Sequence, residues 1–281
     1  MASSTFQPII KWSGSKRSQC QEILKHFPTT FDTYYEPFVG GGSMFRCLLD
    51  NKSQFRFKRI VCSDLNGDLI SLWNCIKNNP KELSENYARL WHELNSDSDK
   101  GYQRDYFNKI RERLNRLHDP MDFMFIMRTT TNGMPRYNSN GDFNNSFHIT
   151  RSGINPATLD KIIGEWSGLL NDNNVTFKVA DFKTITPNAN DFVYLDPPYA
   201  NTKGMYFGNF DTRSLYDWLA LLECPYVMSY DGTSGDVDNT ADVPNNLYDE
   251  HLYIKSGNSS FKRVVGKSND SMVYESLYVK H

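Results

Sequence analysis

Cysteine is scarce and scattered. The 281-residue chain has five, Cys20, Cys47, Cys62, Cys75 and Cys224, with no C-x-x-C pair and no clustering with histidine. A dispersed, odd set argues against a disulfide framework and against structural zinc, and fits a reducing cytosol. Long apolar runs are also missing. None approaches the roughly 20 residues that cross a bilayer, so no membrane partner is expected. The opening "MASSTFQPIIKWSG" has no basic segment leading into an apolar one, which speaks against secretion and for a cytoplasmic protein. Internal repeats and low-complexity tracts are absent. Excess charge of one sign is absent overall, at a formal net charge of −2. The distribution is uneven, however. Residues 1–60 hold nine Lys/Arg against four Asp/Glu, and residues 231–250 hold six acids and no base. Local basic surface of that kind can meet a polyanion, although ordinary solvated faces would read the same way.

What is present is an alternation of strand and helix patterns. "TYYEPFV" (33–39) reads as a strand that ends at Gly40-Gly41-Gly42, and "SMFRCLLDN" reads as a helix with Ser43 near its N-cap. "RIVCSD" (59–64) is a second short strand, and "LNGDLISLWNCIKNN" opens a second helix. This order predicts a parallel α/β sheet. From about residue 78 to 128 the pattern turns helical. In "YFNKIRERLNRL", Phe107, Ile110, Leu114 and Leu117 recur at helical spacing. A turn-rich segment, "TTTNGMPRYNSNGDFNNSF" (129–147), follows. After another helix, "VTFKVADF" and "DFVYLD" restore strands, and "LYDEHLYIK" and "SMVYESLYVK" read as antiparallel strands at the C-terminus. Residues 231–242 read as an acidic loop. The expected organisation is an α/β domain (1–75 and 155–281) interrupted by a mainly helical insert (76–154).

Two stretches carry chemistry. Phe192 to Leu195 form a short apolar strand that must stop at Asp196, because Pro197 and Pro198 have no N–H for a sheet ladder. The Asp196 carboxylate and the Pro197 carbonyl can both accept from one –NH2 group, and Tyr199 offers a ring for a planar group to stack on. A flat amino-heterocycle such as an extruded adenine meets all three. The plain reading is a capped strand end. In "EPFVGGGSMF" the glycine turn between strand and helix lets backbone approach a ligand, yet it lacks the full dinucleotide spacing and the phosphate-loop Lys-Ser/Thr. Asp64, at the end of the next strand, sits where a ribose is held in nucleoside-binding folds. The alternative for Asp64 is a helix N-cap. Together these suggest a nucleoside-bearing cofactor whose charge is not dominated by phosphate.

"KWSGSK" (11–16), "EPFVGGG" (36–42), "SDLNGDLI" (63–70) and "DPPY" (196–199) occur in an order that resembles the Dam-like, D12-class, alpha-group DNA N6-adenine methyltransferases. "RTTTNGMPRYNSNGDFN" (128–144) resembles that family's insert motif. The resemblance implies a Rossmann-like methyltransferase sheet, mostly parallel with an antiparallel C-terminal part, and an inserted DNA-recognition domain. It implies S-adenosyl-L-methionine as cofactor, held by Trp12, Lys16, Glu36, Pro37, Phe38, Gly40, Gly42, Ser43, Asp64, Leu65, Asp181, Phe182 and Asp196. It implies catalysis at Asp196, Pro197, Pro198 and Tyr199, and contact with double-stranded DNA by Lys11, Arg128, Asn132, Met134, Arg136, Tyr137 and Asn138. No metal is implied, and a cognate restriction endonuclease acting on the same sequence is an implied partner. GATC is the target of much of the family. Here Thr131 replaces an aromatic common before Asn-Gly, and Asn145-Ser146 replaces a common Val-Pro.

The resemblance makes the expected reaction methyl transfer to adenine N6. Cytosine N4 offers the same two donors, so the same fold acting on cytosine or on RNA is a rival reading. A non-catalytic DNA-binding relative is another.

Overall fold

The computed structural model describes residues 6–199, 210–234, 237–258 and 272–281. Over these residues the chain divides into two compact units. Residues 6–15 and 64–179 form the first, and the described parts of 16–63, 180–202 and 210–281 form the second. These boundaries follow chain compactness and fall elsewhere than the functional division expected at 75/76 and 154/155.

In chain order the main elements are α1 (Cys20–Leu24), β1 (Thr33–Glu36), α2 (Ser43–Asp50), β2 (Arg59–Asp64), α3 (Gly67–Asn78), α4 (Pro80–Leu94), α5 (Lys100–Leu117), α6 (Pro120–Thr129), α7 (Pro156–Asp172), β3 (Val175–Val179), β4 (Phe192–Leu195), α8 (Thr212–Leu219), β5 (Tyr226–Ser234), β6 (Val237–Asp238), β7 (Glu250–Asn258) and β8 (Met272–Lys280).

In the second unit the strands run β2-β1-β4-β5-β8-β7. β1 pairs in parallel with β2 and β4, and β4 in parallel with β5. β8 then runs antiparallel to both β5 and β7. The sheet is therefore mixed: parallel where β–α connections supply it, antiparallel at the C-terminal edge, as the strand patterns predicted. All four residues of β4 are buried, which is why it reads as a continuous apolar run rather than an alternating one. Phe192 packs tilted against Phe27 at 4.5 Å between centroids, among Phe31 and Tyr34.

The first unit is mainly helical. Prolines at the first positions of α4, α6 and α7 preset the helical φ. Asp99, Asp119 and Asn155 cap α5, α6 and α7 by accepting backbone N–H groups. Trp73 lies between Trp166 and Phe177, with centroids 5.2 Å away on each side.

Four expectations change. Phe107, Ile110 and Leu114 are buried on α5, but Leu117 is 58% exposed, because it ends the helix one turn beyond the packed face. The cap of α2 is Gly42 in the left-handed region, φ 71°, rather than Ser43, which begins the helix. Residues 231–242 are partly strand: β5 runs to Ser234 and β6 pairs back on it through Thr233↔Asp238. Cys20 and Cys47 are joined by a disulfide, with Cα atoms 6.2 Å apart, where the scattered, odd set of cysteines argued against a disulfide framework. The two cysteines are 27 residues apart, and the packing of α1 on α2 juxtaposes them. Cys62, Cys75 and Cys224 are free and buried. No helix among the described residues is long and apolar enough to cross a membrane.

Candidate active site

β4 ends at Leu195, and the next residue, Asp196, is met by Lys16 from the second unit's first short turn. The Lys16 ammonium is 2.8 Å from Asp196 Oδ1 and donates to the Tyr199 hydroxyl at 2.9 Å. It also lies 3.4 Å from Glu275 Oε2, an ion pair rather than a well-formed hydrogen bond. Its Nζ sits 5.1 Å from the centre of the Tyr199 ring. Lys16 is 2% exposed, Asp196 22% and Glu275 17%. Burial works against the Lys16 ammonium, but Asp196, then Tyr199 and Glu275, hold its pKa well above the usual lysine value. Burial pushes the Asp196 carboxyl up to about 6, with Lys16 opposing and Glu275 adding to the rise. Asp196 is thus ionised near neutral pH, but poised close to its protonation. The Tyr199 ring meets Tyr230 edge-on at 6.0 Å.

The glycine turn that follows β1 has Gly40 at φ 46° and Gly42 at φ 71°, a conformation that favours glycine on both counts. The Val39 amide donates to the Ser63 carbonyl at 3.0 Å, which ties the turn to the end of β2. Glu36 is buried and accepts the Tyr34 hydroxyl at 2.8 Å. Burial raises its carboxyl to about 8, although the Tyr34 hydroxyl and the Phe45 amide favour the charged form. Pro37 is buried, Phe38 is half-buried, and the Phe38 ring lies 5.5 Å from that of Phe182. Asp181 caps its short turn by accepting the Lys183 amide and pairs with the Lys183 ammonium at 3.2 Å.

In the first unit Trp12 is half-buried and Leu65 exposed. Asp64 is half-buried and accepts the Asn66 amide at 3.0 Å, while Asn66 itself caps α3. The N-cap alternative for Asp64 therefore belongs to Asn66. Asn66 also donates to the Tyr137 hydroxyl at 2.6 Å, so Tyr137 turns its polar end inward.

The turn-rich segment is a scaffold with exposed tips. Tyr137 bridges Phe143 in antiparallel fashion. Asn138 accepts from the Asn140 and Asp142 amides and donates to the Asp142 carboxylate. Asn132 is exposed and left-handed at φ 57°. A Cβ on Gly133 would overlap the Lys11 side chain, so Lys11 is held against the Asn-Gly turn. Burial and the nearby Arg151 and Arg128 lower the Lys11 pKa. Met134 is half-buried and Arg136 exposed. Arg128 is buried, and its Nη2 donates to the Pro8 carbonyl at 2.6 Å. Burial pulls its pKa down to about 10.

Three residues of these clusters were not singled out in the sequence, and a fourth, Asn145, was noted there only as a departure from the family's insert. Glu275 lies within a C-terminal strand pattern, and Ser229 lies on β5; the Ser229 hydroxyl is 2.8 Å from that of Tyr194. Asn66 lies within a motif but carries no charge to draw notice. Asn145 is buried and bonds the Thr131 and Met134 carbonyls. Its departure from the family pattern was the available signal. Among the described residues no group of three His, Cys, Asp or Glu side chains is placed to hold a metal ion.

Residues 12–256 match the family model for the D12 class N6 adenine-specific DNA methyltransferases. The chain is 31% identical over 209 residues to the type II methyltransferase M.MjaIII of Methanocaldococcus jannaschii, covering 69% of each chain. It is 30% identical over 200 residues to the type II methyltransferase M1.LlaDCHI of Lactococcus lactis, covering 69% of this chain and 66% of that protein. It is 30% identical over 202 residues to the DNA adenine methylase of Haemophilus influenzae, covering 69% of this chain and 64% of that protein. The matched segment thus spans about two thirds of these relatives. With the four motifs in order and an acid–proline–proline–tyrosine turn ending a buried parallel strand, the chain belongs to the D12 class of N6 adenine-specific DNA methyltransferases.

Proposed function

We propose that this chain transfers a methyl group from S-adenosyl-L-methionine to N6 of an adenine flipped out of double-stranded DNA. The observation that carries the reading is the cluster at the end of β4. A carboxylate with a pKa near 6 is fixed by a fully buried lysine, beside a tyrosine whose ring is braced by Tyr230.

The second unit's cofactor residues fit such a group on two counts: the turn at Gly40 and Gly42 carries no side chain, and Phe38 and Phe182 offer apolar rings. In the first unit, taken by itself, Asp64 carries a half-buried carboxylate of the kind that holds a ribose. When bound, the cofactor supplies a methyl carbon activated by a sulfonium. The chain's own part begins with the amine, whose lone pair is delocalised into the ring and is a poor nucleophile. Asp196 and the Pro197 carbonyl each accept one N6–H. Both hydrogen bonds strengthen as the nitrogen becomes positive, so they favour the transition state over the ground state. Tyr199 stacks on the extruded base and offsets part of the unstacking cost, a few kcal/mol. Pro198 keeps the turn stiff and adds no competing donor.

In this reading residues 1–75 and 155–281 form the catalytic domain, and 76–154 the recognition domain. Lys11, Asn132, Met134, Arg136 and Asn138 face DNA, with Arg128 and Tyr137 bracing the loop from inside. A restriction endonuclease reading the same sequence is its proposed partner, and GATC is the first target to assay. Transfer of labelled methyl groups to unmethylated DNA, followed by nucleoside analysis, tests the proposal. N6-methyladenine is expected. N4-methylcytosine, label on RNA only, or DNA binding without transfer would each overturn it. The rate should climb as pH rises through about 6, because Asp196 must be ionised.

A further inference from the structure

Glu275 belongs to no motif in the sequence, yet the fold builds a seat for it. It stands on β8, opposite Ile254 of β7. Both strands beside it are irregular, β5 directly opposite it and β7 one step along, beside Tyr274 and Val273. The β5–β8 register shifts between Tyr230 and Thr233, and the β7–β8 register shifts between Lys255 and Gly257. Bulges of this kind re-aim side chains and gather near active sites. The residue inside the β7 shift, Ser256, donates its hydroxyl to Glu275 Oε1 at 3.0 Å. Inside the β5 shift, a Cβ on Gly232 would strike the Tyr274 carbonyl and come within 2.9 Å of the Glu275 Cα. With Oε1 fixed by Ser256, Oε2 faces the Lys16 ammonium at 3.4 Å.

The charges explain what this seat is for. In the reaction proposed above, positive charge develops on N6, and Asp196 must meet it with its full negative charge. Lys16, 2.8 Å from Asp196 Oδ1, fixes the carboxylate but also opposes that charge. A second carboxylate on the far side of the ammonium cancels the opposition without taking the hydrogen bond away. We infer that Glu275 is a positioning residue that holds and electrically balances Lys16, leaving Asp196 a rigid and undiminished acceptor for the target amine. This inference rests on the proposed reaction. The charged and titratable groups facing Asp196 are Lys16, Tyr199, Glu275, Tyr194 and Glu36. Glu275 is the one whose removal strips negative charge from the lysine side while leaving every group that touches the substrate in place.

The test is Glu275→Gln, read in two ways: carboxyl NMR titration of the cofactor-free protein, with Asp196→Asn to assign the signal, and the pH profile of kcat. Removing a neighbouring negative charge lowers the Asp196 pKa. The titration and the acid limb of kcat should therefore both move down by about one pH unit. The kcat plateau should fall about tenfold, equivalent to one unit of lost charge balance. Glu275→Asp, which keeps the charge, should restore the wild-type titration. A purely structural glutamate would lower the melting temperature and leave both pH curves where they were. Coincident curves in wild type and Glu275→Gln would overturn the inference. Should wild-type protein fail to methylate DNA, the parent reading falls, while the titration still decides whether Glu275 sets the Asp196 charge.

Discussion

The cluster at the end of β4 and the turn-rich segment at 128–147 solve opposite problems. The first gathers two half-buried carboxylates, Asp196 and Glu275, around the buried Lys16 ammonium and locks them with one another. The second keeps Asn132, Arg136 and Asn138 at the surface, and spends buried polar groups on backbone. Asn145 there holds two carbonyls, and Arg128 holds the Pro8 carbonyl. Chemistry on a weak nucleophile needs charge that cannot relax, whereas reading DNA needs donors that meet phosphates and base edges in water. Substitutions should therefore act on catalysis and stability together in the cluster, and on DNA affinity alone at the tips of the loop.

The sharpest break in that contrast is Asp196→Ala. Methyl transfer should fall by about a thousandfold, while circular dichroism and DNA binding stay close to wild type. An unimpaired rate would remove the cluster from catalysis altogether. Next, Lys16→Ala leaves two neighbouring carboxylates without their cation. Urea unfolding near neutral pH should show a loss of about 3–5 kcal/mol, as for other broken buried pairs, and the deficit should shrink in acid as the carboxyls protonate.

A third test uses linkage. Glu36 has its pKa raised from 4.5 to about 8, and Asp196 from 3.8 to about 6. In both cases the folded state binds protons that the unfolded state has released. The stability contribution is full below the unfolded pKa and is lost as pH rises through the folded value. Melting temperature should thus fall between about pH 4.5 and 8, and Glu36→Gln should flatten that slope.

The smallest effect separates two arginines that look alike in sequence. Arg136→Ala should weaken DNA binding evenly, lower the salt slope by about one, and leave the melting temperature unchanged. Arg128→Ala should instead lower the melting temperature, since it empties a buried bond to Pro8. The reverse pattern would mean that burial does not divide the loop's residues into bracing and reading.

Much of this molecule is legible along the chain because its signals are local. "RIVCSD" coincides with β2 (Arg59–Asp64), and the prolines at 197 and 198 end β4 where an N–H is missing. The strand–glycine–helix order and the acid-terminated strands are likewise consequences of neighbours in sequence. Lys16 and Asp196 were each visible as members of separate motifs, 180 positions apart.

What the linear order withheld was partnership. That Lys16 lies on Asp196, that Glu275 faces the same ammonium, that Cys20 meets Cys47 and that Arg128 serves Pro8 all depend on strand pairing and helix packing across long separations. The sequence by itself determined the elements, the motifs and the family, because periodicity, proline and glycine act over a few residues. Tertiary structure alone decided which charges are buried together, and hence which carboxylate titrates near 6, because desolvation and Coulomb attraction depend on distance in space.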